Sequence, residues 1–266
     1  MNNAFYEKMK KIRAFLLDLD GTVYIEGELI GDMKNTLRAI RESGRKIVYL
    51  TNNSSKTGET YVERLKKIGI WDERDTVYTS GDATVALLKS RYAGKRVYLM
   101  GTQKLREEFL REGIVLDDEN PEITVISYDT EINYEKLCKV ALFLKRGTTY
   151  IATHPDVNCP AKEVDVPDIG SYMKMFEAST GRLPDVIVGK PYRFMGEGIK
   201  ELTGCEEDQL VMVGDRLYTD IRFGLNNSFT TVLVLSGETT EKMYSESGMK
   251  ADIVLNSLND ILPYLR

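Results

Sequence analysis

Asp18 and Asp20 stand two residues apart in Asp18-Leu19-Asp20-Gly21-Thr22, directly after the apolar run Ala14-Phe15-Leu16-Leu17. Alternate residues leaving a strand can point the same way, so this spacing can bring both carboxylates to one place. In open α/β sheets the ligand site lies at the carboxyl ends of the strands, which is where the pair falls. Neighbouring carboxylates repel, and tolerating them takes a cation or a shared proton. Oxygen-only ligands suit Mg²⁺, which keeps several waters and takes carboxylates together with substrate phosphate oxygens. Gly21 allows a sharp turn and a close backbone approach to a ligand. The same pentamer also reads as an Asx turn closing a strand. What the other strand ends carry decides between the two.

Three further strand ends carry suitable groups. Ile47-Val48-Tyr49-Leu50 finishes in Thr51-Asn52-Asn53-Ser54-Ser55, where hydroxyl and amide donors with backbone N–H groups at a helix start make either an anion cradle or a simple N-cap. Val186-Ile187-Val188 runs into Gly189-Lys190-Pro191; a lysine there neutralises phosphate charge and keeps a nearby aspartate ionised, or else is solvated surface. Leu210-Val211-Met212-Val213 runs into Gly214-Asp215-Arg216-Leu217-Tyr218-Thr219-Asp220, which supplies a third and a fourth carboxylate. Each signal is weak alone. Their coincidence at four strand ends is not.

The elements that must position these groups alternate, strand then helix, from end to end. Leu37 and Ile40 share a helix face that Gly44 can end; Tyr61, Leu65 and Ile68 recur at helical spacing before Gly69. Asn133 can cap a helix carrying Leu137, Val140 and Leu144 and ending at Gly147. Val97–Met100, Ile123–Ile126, Tyr150–Ala152 and Thr231–Leu235 read as further buried strands. This alternation specifies an α/β fold with largely parallel strands. There are more units than one sheet needs. The polar runs Tyr78-Thr79-Ser80-Gly81-Asp82 and Gly181-Arg182-Leu183-Pro184-Asp185 read as hinges of an inserted domain, dividing the chain into 1–82 with 186–266, and 83–185.

Composition bounds the function classes. The chain has 266 residues, 42% of them hydrophobic and 29% charged, with a formal net charge of −5. That balance gives no general attraction to nucleic acid or anionic membrane, and an anionic substrate must be held by local groups. No apolar run reaches bilayer length, and the stretch Met1-Asn2-Asn3-Ala4-Phe5-Tyr6-Glu7 lacks the form of a secretory signal. Cys138, Cys159 and Cys205 have no CxxC spacing and read as reduced thiols, so a cytoplasmic location is expected. A single histidine, His154, rules out a multi-histidine metal site.

In order along the chain, Asp18-Leu19-Asp20-Gly21-Thr22, Thr51, Lys190 in Gly189-Lys190-Pro191, and Gly214-Asp215 with Asp220 resemble the four motifs of the haloacid dehalogenase superfamily of phosphatases. Leu50-Thr51-Asn52-Asn53-Ser54-Ser55, Thr79-Ser80-Gly81 and Gly214-Asp215-Arg216-Leu217-Tyr218-Thr219-Asp220-Ile221 are similar to its 4-nitrophenylphosphatase or NagD-type branch (type IIA, with a C2 cap). The resemblance implies a Rossmann-like, doubly wound parallel-sheet core with an α/β cap at 83–185. It implies a phosphatase of small phosphomonoesters: 4-nitrophenyl phosphate-like, nucleotide or sugar phosphates. Asp18 would be the nucleophile that becomes an aspartyl phosphate, and Asp20 the acid for the leaving oxygen and then the base for water. Thr51, the backbone of Asn52, and Lys190 would hold the phosphoryl group. Mg²⁺ would sit on Asp18, the main-chain carbonyl of Asp20, and Asp215, with Asp220 supporting either these ligands or Lys190 from behind. The specificity loop would be Ala152–Pro160, with His154 and Asp156 as its candidate contacts; His154 departs from the asparagine common in related sequences. The resemblance also implies a small phosphorylated metabolite as ligand and a homodimer formed through the cap.

The chemistry agrees with these roles. A carboxylate is a weak nucleophile and a phosphate ester is an anion, so their approach needs countercharge, which Mg²⁺ and Lys190 would supply. A covalent intermediate divides one hard displacement into two. Two rivals share these residues: a phosphotransferase, and a catalytically silent module that binds a metabolite.

Overall fold

The computed structural model describes residues 3–159 and 164–266. Met1 and Asn2 of the N-terminal stretch, and Pro160 of the loop expected to set specificity, lie outside them. The strands of the two main sheets are, in chain order, β1 (Ala14–Leu17), β2 (Lys46–Thr51), β3 (Thr76–Thr79), β4 (Val97–Met100), β5 (Ile123–Ile126), β6 (Thr149–Ala152), β7 (Val186–Ile187), β8 (Leu210–Gly214), β9 (Thr230–Val234) and β10 (Ile253–Leu255). The chain forms two compact units, one of Met1–Thr51, Glu59–Tyr78 and Ile199–Arg266, the other of Asn52–Gly58 and Thr79–Gly198.

The first unit is built on a sheet in the order β10-β9-β8-β1-β2-β3. β1 lies parallel between β8 and β2, with Ala14 opposite both Leu210 and Lys46. β8 pairs in parallel with β9, and β9 with β10. The chain therefore proceeds from β1 to one side and returns to build the other, so the order switches between β1 and β8. All four residues of β1 and all five of β8 are buried, as expected of strands covered on both faces. Phe15, Leu17, Val211 and Val213 pack with Leu37, Ile40, Tyr61 and Leu65 of the helices Met33–Glu42 and Gly58–Lys67 in one apolar core. The helical spacing in the sequence is thus the core stripe of both helices. A doubly wound parallel α/β core is the result.

The second unit has its own parallel sheet, β7-β6-β5-β4. Tyr98, Ile126, Phe143, Tyr150 and Phe176 fill its core. Asn133 caps helix Tyr134–Lys145 by accepting from Lys136 N at 3.0 Å, and Gly147 takes φ +85° just past its end. Among the described residues no helix is long and apolar enough to cross a membrane.

Two elements differ from the sequence reading. Tyr78–Asp82, where the first unit gives way to the second between Tyr78 and Thr79, has regular structure: β3 ends at Thr79, which caps helix Ser80–Arg91. Asp82 N donates to Thr79 Oγ1 at 3.1 Å and Thr79 N donates to Asp82 Oδ2 at 2.8 Å, so the Thr-x-x-Asp spacing is a capping box. Val186–Ile187 belongs to the second unit's sheet, Val186 opposite Ile151. A short apolar run carries no mark of which sheet it joins.

Candidate active site

The turn after β1 is closed by its own backbone. Asp18 N donates to Val213 O at 3.0 Å, which continues the ladder into the loop, and Gly21 N donates to Tyr24 O at 2.8 Å. Leu19 O accepts from Val23 N at 2.9 Å and Tyr24 N at 3.2 Å. Gly21 has φ +85°, a conformation costly to any residue with a Cβ. A Cβ at that position would also overlap the Asp215 carboxylate. Asp18 is half-buried and Asp20 exposed.

Asp215 follows β8 directly and is 2% exposed. Its Oδ2 accepts from Glu238 N at 2.7 Å; its Oδ1 is buried and has no hydrogen-bond partner among the described residues. Burial first, and then the Asp220 charge, push the Asp215 carboxyl up to about 6, against the opposing pull of the Glu238 N–H. Asp220 returns to Asp215 through a wide turn, Leu217–Ile221, in which Ile221 N reaches Arg216 O at 3.1 Å. Arg216 N donates to Asp220 Oδ2 at 3.1 Å. Carboxylate oxygens of Asp18, Asp215 and Asp220 lie within 4.8 Å of one another. The Asp220 side chain thus stands in the same cluster as the two expected metal ligands. Three clustered carboxylates, one of them with a buried oxygen that accepts no hydrogen bond among the described residues, fit a hard divalent cation.

The remaining candidates divide by unit. Thr51, buried at 8% exposure, ends β2 in the first unit. Asn52, His154, Asp156 and Lys190 belong to the second. Asn52 Oδ1 accepts from Lys190 N at 2.8 Å, and its Nδ2 donates to Lys190 O at 3.0 Å and to both oxygens of Asp156 at 3.2 and 3.1 Å. Gly189 makes room for this: a Cβ there would stand 2.6 Å from Asn52 Oδ1 and 2.8 Å from His154 Cβ. Ser54 Oγ meets Thr153 Oγ1 at 2.9 Å and accepts from Tyr128 N at 2.9 Å. Much of the hydroxyl and amide cluster after β2 therefore holds protein. His154 is fully buried; Asp156 N donates to its Nδ1 at 3.4 Å, and Asp168 Oδ1 lies 3.6 Å from Nε2.

One segment of the site escaped the sequence reading. After β9, Ser236 Oγ donates to Gly21 O at 2.7 Å, and Glu238 supplies the N–H that holds Asp215. The signal was present, since Leu235-Ser236-Gly237-Glu238 follows an apolar strand, but backbone donors leave no trace in residue type.

Comparison with known proteins places the chain in a family. Residues 15–115 match the model of the haloacid dehalogenase-like hydrolases, and residues 187–261 match a second model described as HAD-hydrolase-like. The chain is 32% identical over 258 residues to an acid sugar phosphatase of Staphylococcus aureus, covering 97% of this chain and 99% of that one. A 4-nitrophenylphosphatase structure from Thermotoga maritima is 40% identical, covers 97% of this chain and 99% of its own, and superposes with a TM-score of 0.94. NagD from E. coli K-12 is 28% identical over 94% of this chain and 98% of its own, with a TM-score of 0.87. The chain belongs to the haloacid dehalogenase-like hydrolase family, among relatives of the NagD and 4-nitrophenylphosphatase type.

Proposed function

We propose that this chain, a phosphoric monoester hydrolase by family, cleaves small phosphomonoesters, sugar and aryl phosphates among them, through an aspartyl phosphate on Asp18. The observation that carries the reading is the cluster of Asp18, Asp215 and Asp220, in which Asp215 has a buried oxygen, Oδ1, that meets no donor among the described residues. Asp18 and Asp215, with the main-chain carbonyl of Asp20, would hold Mg²⁺, and Asp220 is close enough to share in the site. A bound Mg²⁺ offsets the charge of the carboxylates and of the phosphoryl oxygens.

The chain's own residues do the rest. Asp18 attacks phosphorus as the ester oxygen leaves, and Asp20, whose side chain is exposed to a ligand, protonates that oxygen. Asp20 then takes a proton from the water that cleaves the phosphoaspartate. Thr51, the backbone of Asn52, and Lys190 bind the phosphoryl oxygens. Residues 83–185 act as a cap that excludes water and selects the ester, with Asp156 as a substrate contact; buried His154 supports the loop. A small phosphorylated metabolite as ligand, a homodimer through the cap and a cytoplasmic location complete the reading.

The names of the relatives favour this over a silent module. The test is a panel of sugar phosphates and 4-nitrophenyl phosphate with and without Mg²⁺, following released inorganic phosphate. Hydrolysis that needs the cation is expected; failure on every ester would overturn the proposal. Asp18→Asn is expected to remove turnover, by at least about 10³-fold, without lowering the melting temperature. Substantial residual turnover would reject Asp18 as nucleophile.

A further inference from the structure

Asp215 can serve a cation only if one oxygen faces it and stays there, and what fixes that choice lies outside the motifs. Its Oδ2 is enclosed: Glu238 N donates to it at 2.7 Å, and a Cβ on either Gly21 or Gly237 would overlap it. Thr239 N reaches Asp215 O at 3.3 Å. The loop carrying these groups is tied at both sides. Ser236 Oγ donates to Gly21 O at 2.7 Å, joining it to the turn after β1. Glu238 Oε2 pairs with Arg216 Nε at 2.9 Å, joining it to the turn after β8. With Oδ2 held, Oδ1 is left buried without a partner among the described residues.

We propose that the loop Ser236–Glu238 is a positioning element for the divalent cation, fixing the rotamer of Asp215 so that Oδ1, not Oδ2, is presented as the ligand. This rests on the metal-dependent phosphatase reading. Gly237 works by having no side chain, Glu238 by its main-chain N–H, and Ser236 by tethering the loop to the same turn that carries Asp18 and Asp20. Because the donor belongs to the backbone, side-chain substitution at 238 tests only the ion pair; deleting the N–H requires proline.

The experiment measures Mg²⁺ binding to substrate-free protein by calorimetry. Gly237→Ala, whose methyl group would occupy the space of Oδ2, is expected to raise the dissociation constant at least tenfold, and Glu238→Pro to do the same. Glu238→Gln, which keeps the N–H, should stay within threefold of the parent protein. In steady state, Gly237→Ala should raise half-saturating Mg²⁺ by the same factor and leave KM for the ester at saturating Mg²⁺ unchanged. A Gly237→Ala protein that binds Mg²⁺ as the parent does overturns the proposal. A second measurement needs no variant: the Glu238 amide resonance of the parent protein should move along the Mg²⁺ saturation curve, and an amide that stays in place also overturns it. If the parent binds Mg²⁺ but these effects are missing, only the loop assignment falls; if it binds none, the phosphatase reading falls with it.

Discussion

Asn52 was expected at the phosphate through its backbone, and its side chain turns out to have a different occupation. Both faces of the amide go to protein: Lys190 N and O on one side, the Asp156 carboxylate on the other. It is 6% exposed, so these bonds face little competition from water. Each buried hydrogen bond contributes on the order of 1 kcal/mol net, and orphaning the partners costs more. Asn52→Ala is therefore expected to lower stability by about 2–3 kcal/mol, read from denaturant midpoints. Asn52→Asp should be worse near neutral pH, because it sets a second carboxylate against Asp156 and a second acceptor against Lys190 O. Protonation relieves that repulsion, so the Asn52→Asp deficit should shrink as pH falls from 8 to 5 while the Asn52→Ala deficit holds. Equal pH dependence of the two would show that the amide does not face Asp156.

The wide turn Leu217–Ile221 sets the spacing of two carboxylates five residues apart. Arg216 O accepts both the ordinary i+4 bond, from Asp220 N at 3.0 Å, and a second from Ile221 N at 3.1 Å; the second is an i+5 closure of the kind common at functional sites. The turn can seat Asp220 against β8 only because Gly214 has no side chain, since a Cβ there would overlap Asp220 Cβ and Cγ. Gly214→Ala is expected to lower stability by about 1–3 kcal/mol through overpacking and to reduce phosphatase activity more than tenfold as Asp220 leaves the cluster. A variant with parent-like melting and turnover would show that the turn yields without moving the carboxylates. The order switch between β1 and β8 acts on a larger scale. It places the loops of Asp18 and Asp215 side by side where no crossing connection covers them.

For the whole molecule, the carboxylate cluster is expected to couple folding to pH and, on the proposed reading, to metal. Asp215 titrates at about 6 in the folded chain against an ordinary value of 3.8. A raised carboxyl contributes stability that is fully present below the unfolded value and is lost as pH rises through the folded one. The metal-free protein should thus lose up to about 3 kcal/mol between pH 4 and pH 6 from this group alone. A cation that takes the ionised carboxylate removes that loss and competes with the proton. Mg²⁺ should therefore raise the melting temperature more at pH 7.5 than at pH 5. Equal increments at both, by calorimetry at fixed Mg²⁺, would reject the cluster as its binding site.

Much of this was legible in the residues. Ala14–Leu17, Val97–Met100 and Ile123–Ile126 are strands with the expected bounds, because a strand buried on both faces leaves an unbroken apolar run. Asn133 caps as its side chain predicts. Where one residue could satisfy two local rules, the sequence was silent. β3 and β10 passed unread, since Thr76–Thr79 and Ile253–Leu255 are edge strands only partly buried.

Residue identity alone determined the family, the alternating α/β fold and which carboxylates stand at strand ends, because side-chain chemistry and apolar period are written one residue at a time. Tertiary structure decided that Val186–Ile187 pairs with β6, that Asp220 stands beside Asp18 and Asp215, that Asn52 holds Lys190 and Asp156, and that the N–H of Glu238 selects an oxygen of Asp215. Those outcomes depend on strand pairing and on backbone donors common to nearly every residue type, and only the assembled chain brings them to a particular place.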